Sequence, residues 1–433
     1  MDIKRILSST VYQIFPRTFT KEGTLKAAEK HLPEIKQLGV DIVYLCPFMT
    51  EDDGDDKFFW SERQKNCGLE NPKNPYRISD YFGVDPEYGT KEDLHDFVNS
   101  VHKLGMKILF DLVYYHCGPN AVFIKEYPDF IRRGKDGNAL VGEWKFPQLN
   151  YENPNLREYL YSNMEYFMNE FHVDGFRCDV GDLCPPDFWY EGFKRCRKIN
   201  PDAVFLNEGM PMKHSGFDIY YGFFWAAKLK QVIRAEIPVS ELVNEYRHRE
   251  QKFGDCLVLR DLDNHDYAND SGDTRCDAYP GHDGVEAAFA LNAFIRGIFF
   301  VYNGNEIADT HPHSIFYNRF HNSKGDMTVD WANKDSDAAK RRREVITKLI
   351  SLRHELPAVA LGNVEFGDCT DVLEFRRKCG EQHLYCVFNL SKEPKCVETK
   401  LPECSPCIIS KGAKLGKNGK LELSDWGYAV YEV

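Results

Sequence analysis

No long apolar run occurs in the sequence. Charged and polar residues interrupt the first ten positions, which therefore lack the apolar stretch of a signal peptide. No later segment approaches the roughly 20 apolar residues that a membrane-spanning helix needs. We therefore expect no membrane partner, and we expect the protein in the cytoplasm.

Basic residues and closely spaced cysteines are also lacking. Lys and Arg number 55 against 67 Asp and Glu, a formal charge of −12, whereas a phosphate-binding surface needs a basic excess. Nucleic acid is thus excluded as a partner, and an uncharged substrate is favoured. The 14 cysteines are scattered without the dense spacing of a small disulfide-bonded domain, which indicates free thiols. Cys404 and Cys407 form a lone CxxC pair, and no metal site is predicted there.

A third absence concerns nucleotides, since no glycine-rich phosphate-binding fingerprint follows the first predicted strand. What the sequence does contain is a repeated unit of apolar strand, loop and amphipathic helix. Thr24 and Thr90 are predicted to cap two of these helices, which end at Gly39 and Gly105. The eight predicted strands cover residues 11–15, 40–46, 106–113, 171–180, 203–206, 217–223, 256–259 and 298–302.

Nearly continuous apolar strands that alternate with helices are typical of a parallel sheet covered by helices. Eight such units in about 350 residues favour an α/β fold of the (β/α)8 TIM-barrel type over an open doubly wound sheet. The barrel is predicted over residues 1–116 and 151–357, with a short inserted subdomain at 117–150 after the third strand. Residues 358–433 are predicted to form a C-terminal antiparallel β-sandwich, because short strand-like runs replace the helices there.

Polar residues follow several predicted strands at the carboxyl ends, where barrel enzymes carry their active sites. Each one alone has a plain structural explanation, as a helix cap or a loop carboxylate. Their convergence on one face of the barrel favours a catalytic site. The residues are Asp111, His116, Arg177, Asp179, Glu208, His265 and Asp266.

Two carboxylates on either side of a bond are what glycoside hydrolysis requires. One attacks the anomeric carbon or activates water, and the other, with a raised pKa, protonates the leaving oxygen. Arg177 lies two residues before Asp179 and is expected to keep that carboxylate ionised, which favours Asp179 as the nucleophile. Glu208 follows an apolar run and is predicted to be the proton donor.

The segments around these residues resemble the α-amylase superfamily, glycoside hydrolase family 13. Residues 111–116 look like the first conserved segment of that family, and residues 175–179 look like its nucleophile segment. Residues 205–208 and 263–266 are similar to the segments with the acid/base and the transition-state stabilising aspartate. Supporting resemblances are found at residues 11–17, 76–81, 84–90 and 301–306.

This resemblance implies a retaining mechanism acting on α-glucan oligosaccharides. Asp179 would form the glycosyl-enzyme, Glu208 would act as acid and then base, and Asp266 would stabilise the oxocarbenium-like state. The predicted substrate-binding residues are Tyr76, whose ring would stack on the sugar at the cleavage site, and Asp111, His116, Arg177 and His265.

The sequence departs from the family pattern in ways that bear on metals. Tyr115 stands where an asparagine of the family commonly binds a structural calcium, and the 117–150 insertion is short. We therefore expect no required cofactor or metal. The acidic run at residues 51–56 is predicted to be a solvated loop rather than a cation site. The aromatic residues 58–60 fit either a sugar platform or, preferably, the small core of that loop.

Substrate preference is indicated by weaker features. Residues 146–150 look intermediate between oligo-1,6-glucosidase-like and neopullulanase-like segments, and Val180 after the nucleophile is commoner in α-1,6-acting members. Hydrolysis of α-1,4 bonds in maltodextrins is the first hypothesis. An α-1,6-glucosidase, a 4-α-glucanotransferase and a non-catalytic glucan-binding or transporter-associated relative are the alternatives. No feature of the sequence sets an oligomeric state.

Overall fold

Eight short parallel strands close into a barrel in the computed structural model, which describes residues 6–250, 256–267, 275–279, 281–417 and 419–433. Each strand pairs with its neighbours in sequence, and β1 pairs with β8 to close the ring. The strands are β1 Thr10–Ile14, β2 Ile42–Leu45, β3 Lys107–Leu112, β4 Gly175–Cys178, β5 Val204–Asn207, β6 Ile219–Tyr221, β7 Leu257–Arg260 and β8 Ile298–Tyr302. The predicted TIM barrel is confirmed.

The barrel strands are buried on both faces, as expected for parallel strands inside a layer of helices. β4 is shorter than predicted and ends at Cys178, so that Asp179 lies just beyond it. Gly175 begins β4 with φ 144°, and a Cβ atom there would lie 1.9 Å from the carbonyl oxygen of Val204. Only glycine fits this close approach of β4 to β5, which brings the ends of the two strands side by side.

The helices that cover the barrel begin and end at the signals that the sequence contains. Thr90 forms a capping box with Asp93, and Thr24 accepts a hydrogen bond from the Ala27 N–H. The predicted helix after Thr24 is broken into two, because Pro33 lacks the N–H needed to continue the first one. The α-helices are Pro16–Phe19, Leu25–Glu29, Leu32–Gln37, Glu62–Cys67, Lys91–Lys103, Pro154–Glu170, Pro186–Ile199, Phe223–Ile233, Val239–His248, His282–Phe294, Asp337–Glu355 and Pro357–Leu361.

The long segment after β2 packs onto the barrel mouth through the short antiparallel pair Thr50–Glu51 and Ile78–Asp80. The prediction that the acidic run at 51–56 is a solvated loop is wrong for its first two residues. Glu51 is buried against Arg17, with 2.7 Å between the carboxylate and Nη2, and Asp52 is buried as well. These carboxylates are inside because cations and N–H donors pair with them there.

Residues 117–150 form a small excursion between β3 and the helix Pro154–Glu170. It contains two 3-10 turns, Val122–Lys125 and Pro128–Phe130. Isolated antiparallel bridges join its two sides, among them His116 with Gln148 and Val141 with Pro147. This excursion places Trp144 and Phe146 beside His116 at the barrel mouth.

The C-terminal strands form one connected antiparallel sheet, ordered β9–β10–β11–β14–β12, with β13 on the other edge of β14. Along β11, Leu384, Cys386 and Phe388 join the core of the barrel, whereas Tyr385 and Val387 belong to a second, smaller core. The strands are β9 Asn363–Phe366, β10 Leu373–Cys379, β11 Gln382–Phe388, β12 Lys395–Glu398, β13 Cys407–Leu415 and β14 Lys420–Glu432.

None of the helices in the described ranges has the length and apolar character that crossing a membrane requires. All fourteen cysteines are free thiols, nine of them buried.

Candidate active site

The carboxyl ends of the barrel strands bring the predicted residues together around one cleft. In the register of β3 and β4, Asp111 lies beside Arg177, and Arg177 in turn lies beside Leu206 of β5. A cavity of about 330 Å³ opens at this end of the barrel. Its walls are formed by Ser61, Glu62, Arg63, Asn74, Tyr76, His116, Glu143, Trp144, Phe146, Asp179, Val180, Glu208, Asp266, Ile315 and Phe316.

Arg177 is the fully buried cation beneath this cavity. Its Nη1 donates to both carboxylate oxygens of Asp111, at 2.7 and 2.9 Å, and to Oδ1 of Asp179 at 3.0 Å. Its Nη2 lies 2.6 Å from Oε2 of Glu208. One guanidinium therefore serves three buried carboxylates, with its planar fork fixing the positions of the two that line the cavity.

Asp179 and Glu208 have raised pKa values. Burial raises the pKa of Asp179 well above its ordinary value, and the nearby Glu208 raises it further, while Arg177 lowers it. Burial also raises the pKa of Glu208, again partly offset by Arg177. The expected effect of Arg177 on Asp179 is thus present, but it is outweighed, and burial favours the protonated forms of the two neighbouring carboxyl groups.

Val180 supports the pair from its backbone. Its φ of 36° lies in the left-handed region, which is strained for a β-branched residue. In this conformation its N–H donates to Oε2 of Glu208 at 3.0 Å. The backbone strain therefore occurs at the residue whose N–H orients Glu208, the predicted proton donor.

Asp266 lies on the opposite wall and is ionised. Burial raises its pKa, but His265 and Arg63 together lower that pKa to about 2. Arg63 Nη1 donates to Oδ1 of Asp266 at 2.8 Å, and His265 Nε2 lies 3.4 Å from Oδ2 of the same carboxylate. This wall therefore presents a fixed negative charge to the cavity.

His265 and Tyr76 connect the two walls. The Tyr76 hydroxyl lies 2.5 Å from His265 Nε2 and donates to Oδ2 of Asp111 at 3.2 Å, while Gln13 Nε2 lies 2.7 Å from His265 Nδ1. The rings of Tyr76 and His265 stack at 5.5 Å. Burial lowers the pKa of His265 to about 4, so the imidazole is neutral at pH 7.

His116 is neutral for the same reason, since burial lowers its pKa to about 4. Its Nε2 donates to the carbonyl oxygen of Tyr76 at 2.9 Å. Its Nδ1 has no hydrogen-bond partner among the described residues and remains an acceptor at the cavity wall. A neutral imidazole of this kind is suited to binding a sugar hydroxyl.

Comparisons with known proteins agree with this architecture. The model of the α-amylase catalytic domain matches residues 13–135 and 140–215, which is somewhat less than half of the chain. This part of the chain is similar to the catalytic domain of the α-amylase family. Its sequence is 27% identical over 209 residues to a maltogenic α-amylase of Bacillus acidopullulyticus, covering 43% of this chain and 32% of that one.

The chain also matches longer stretches of other relatives. It is 23% identical over 415 residues to a cyclomaltodextrinase of Geobacillus thermopakistaniensis, covering 86% of this chain and 63% of the relative. An α-amylase structure from Lactobacillus plantarum superposes with a TM-score of 0.82 at 23% identity, over 99% of this chain and all of that one. The chain thus spans 32% of the length of the Bacillus acidopullulyticus relative and 63% of the length of the Geobacillus thermopakistaniensis relative.

Three of the predicted residues lie behind the cavity wall. Asp111, Arg177 and His265 are buried and do not line the cavity, and their contacts orient residues that do. Asp179, Glu208, Asp266, Tyr76 and His116 do line it. Direct sugar contacts by the three buried residues stay a prediction.

Several residues that line the cavity were not predicted from the sequence, among them Arg63 and Trp144. Arg63 reaches the cleft from the helix Glu62–Cys67, and Trp144 reaches it from the 117–150 excursion. Arg63 lies in the loop after the second predicted strand and Trp144 in the predicted inserted subdomain, and neither residue belongs to a family motif or a predicted strand. Of the aromatic residues at 58–60, Trp60 is buried and Phe58 is exposed, which is the arrangement of a small loop core.

Tyr115 and Asp52, which lie in the two places considered above for a cation, have hydrogen-bond partners within the protein. Tyr115 accepts a 2.6 Å hydrogen bond from Gln148 Nε2. The Asp52 carboxylate accepts from the N–H of Asn120 at 2.7 Å and the N–H of Gly54 at 2.8 Å, and Arg77 lies 3.5 Å away. These oxygens are already satisfied by protein donors, so the donor set does not fit a calcium ion.

Proposed function

We propose that this protein is a retaining glycoside hydrolase that cleaves α-glucosidic bonds, mainly α-1,4, in maltodextrins. The observation that carries the proposal is the buried Asp179–Glu208 pair, which lies above Arg177 and shares one cavity with the ionised Asp266. The names of the relatives, a maltogenic α-amylase and a cyclomaltodextrinase, support a maltodextrin-type substrate.

The reaction follows from where the proton is held. Glu208 gives its proton to the leaving glycosidic oxygen, and Asp179, then ionised, attacks the anomeric carbon to form a covalent glycosyl-enzyme. Glu208, now a carboxylate, takes a proton from water, and the resulting hydroxide equivalent displaces Asp179 with overall retention. Asp266 stabilises the positive charge that develops on the sugar ring in both steps.

A fluorinated glycosyl donor tests this mechanism, because it forms the covalent intermediate and hydrolyses it slowly. We expect mass spectrometry to find one glycosyl unit on the peptide that contains Asp179, and none on the Asp179→Asn variant. Active enzyme that stays unlabelled, or that releases the inverted anomer, would contradict the proposal.

Product analysis tests which bond is cleaved and whether the glycosyl group passes to water or to another sugar. Maltotriose, panose and isomaltose are incubated separately, and we expect maltotriose to be cleaved fastest. Cleavage of isomaltose alone would indicate the α-1,6-glucosidase, and lengthened products from maltotriose would indicate the glucanotransferase, which uses the same catalytic residues.

We further propose that activity requires no metal, since the Asp52 oxygens are occupied by protein donors. The enzyme is assayed after dialysis against a chelator, with and without added Ca²⁺. Unchanged activity is expected, whereas loss on chelation with recovery on adding calcium would contradict the proposal.

A further inference from the structure

The short helix Glu62–Cys67 carries Arg63 into one side of the cleft. Arg63 Nη1 donates to Oδ1 of Asp266 at 2.8 Å, and its guanidinium lies over the Phe316 ring, 5.6 Å from the centroid. Arg63 belongs to the segment after β2, Asp266 to that after β7, and Phe316 to that after β8. The three side chains therefore form a bridge between loops of different strands.

The position of Arg63 is fixed by contacts of its own helix. Ser61 caps the helix by accepting the N–H of Gln64 at 3.1 Å. The Gln64 side chain donates to the carbonyl of Asn71 at 2.9 Å, and the Asn71 side chain donates to the carbonyl of Phe316 at 2.9 Å. The helix is thus tied to the loop after β8, the same loop that supplies the ring beneath Arg63.

The order of strands around the barrel shows which side of the cleft this bridge closes. β7, β8, β1 and β2 are consecutive, so the bridge crosses the mouth above β8 and β1. Asp179 and Glu208 follow β4 and β5, which lie across the barrel from β8 and β1. The proton donor Glu208 must face the leaving group, so the leaving group lies on the β4–β5 side. The glycone, the part of the substrate on the non-reducing side of the cleaved bond, extends to the opposite side. The bridge closes that opposite side.

The cavity is small enough to fit this arrangement. Its volume of about 330 Å³ is at the lower end of the range of about 300–1,000 Å³ seen for ligand pockets. A groove for a long chain would continue on both sides of the catalytic pair. Here the space beyond Asp266 is taken by the Arg63 guanidinium and the Phe316 ring.

We infer that Arg63 is a specificity-determining residue that limits the glycone side to a single sugar, so that the enzyme removes one residue at a time from the non-reducing end. This inference rests on the proposed hydrolase function and adds the mode of attack. If Arg63 had only a structural role, its partly exposed ion pair would contribute little to stability and nothing to product length.

The test compares two p-nitrophenyl maltooligosaccharides of equal length, one with a free non-reducing end and one blocked there at its 4- and 6-hydroxyls. We expect the wild-type enzyme to cleave the free substrate at least about 100-fold faster, a difference of about 2.7 kcal/mol. Glucose is expected as the first product from the non-reducing end of the free substrate. Equal rates on the two substrates would overturn the inference without any variant.

Variants then assign the effect to Arg63. Arg63→Ala should lower the free-to-blocked rate ratio at least about tenfold, about 1.4 kcal/mol, and release glycones longer than one sugar. Arg63→Lys, which keeps a cation, should retain most of the ratio. A ratio that Arg63→Ala leaves unchanged, in protein whose melting temperature shows that it is folded, would overturn the assignment.

The matched control is Lys65→Ala on the same helix, since Lys65 bonds to Glu62 at 3.0 Å and does not line the cavity. The free-to-blocked rate ratio of this variant should equal that of the wild type. A changed ratio would mean that any disturbance of the helix alters specificity, which would contradict the inference. Failure of the proposed function looks different, because wild-type enzyme would then cleave neither substrate and Asp179 would stay unlabelled.

Discussion

The two walls of the cleft hold their carboxylates with different amounts of positive charge. On the β3–β5 wall, Asp111, Asp179 and Glu208 share the single guanidinium of Arg177. Burial raises the pKa of all three carboxyl groups, and Arg177 offsets this only in part. This wall consequently favours the protonated forms of its carboxyl groups, as the proposed proton donor requires.

On the β7–β8 wall a single carboxylate, Asp266, has the Arg63 guanidinium to itself. His265 and Arg63 lower the pKa of Asp266 to about 2 against the effect of burial, although His265 is neutral at pH 7. The number of carboxylates that share one guanidinium therefore separates the wall whose carboxyl groups favour the protonated form from the wall that keeps a constant charge. The predictions below change that number, the groups that depend on it, or a buried carboxylate whose hydrogen-bond partner is neutral.

Asp179→Asn is expected to have the largest effect, because it removes the proposed nucleophile and leaves its neighbours in place. The turnover number for a p-nitrophenyl maltooligosaccharide should fall by about 10⁴-fold or more, as loss of a catalytic group commonly does. The melting temperature, followed by circular dichroism, should stay close to that of the wild type. Retention of more than about a tenth of the rate would contradict the assignment.

Arg177→Met should cause the largest loss of stability. It leaves three buried carboxylates without their cation, and breaking a buried ion pair costs about 3–5 kcal/mol in the free energy of unfolding. Urea denaturation measures this loss, and the exposed Arg132→Met variant is its control. Adding Asp111→Asn should recover part of the loss, because one of the uncompensated charges is then removed. No recovery in the double variant would argue against charge excess as the cause.

Glu306, just after β8, is a buried carboxylate whose hydrogen-bond partner, the Tyr12 hydroxyl, is neutral. Its Oε1 accepts from the Tyr12 hydroxyl at 2.8 Å, and its Oε2 has no partner among the described residues. Burial raises its pKa to about 7. Because the folded protein favours protonated Glu306, this residue costs stability as the pH rises from about 4.5, its ordinary pKa, to about 7.

Glu306→Gln removes that cost. We expect the variant to be more stable than the wild type at pH 8, and the gain to be about 2–3 kcal/mol larger at pH 8 than at pH 5. Urea midpoints at the two pH values measure it, with the exposed Glu344→Gln as control. A destabilisation that is the same at both pH values would show that the hydrogen bond with Tyr12 matters more than the charge.

The sequence was sufficient to predict the barrel and the residues of the β3–β5 wall. Apolar strand periodicity and the carboxyl-end rule are local signals, and they place Asp179 and Glu208 together without any knowledge of distant contacts. The position of Arg63 was not predictable in this way. It depends on how the segment after β2 folds over the barrel, which is set by contacts such as Asn71 with Phe316, 245 residues apart.

The same limit explains the error at Glu51 and Asp52. A run of acidic residues has the composition of a solvated loop, and composition carries no information about a cation that lies far away in the sequence. Arg17, which pairs with Glu51, lies 34 residues earlier in the chain. Burial of charge is thus decided by partners, and partners are a property of the fold.

Asp111→Asn is the mildest change to the number of carboxylates that share Arg177 and tests its effect through the pH dependence of catalysis. In the proposed mechanism the active enzyme has one proton on the Asp179–Glu208 pair, so kcat/KM falls when the pH drops below the lower pKa of the pair or rises above the higher one. The charge of Asp111 raises the pKa of Asp179, and Asp111 also occupies Nη1 of Arg177. Removing that charge favours the ionised forms of the pair, and the bell-shaped profile should shift to lower pH by a fraction of a unit. The control is Asp187→Asn, at an exposed position, which should leave the profile unchanged. A shift of the Asp111→Asn profile to higher pH would show that Asp111 acts by holding Arg177 in place rather than by its charge.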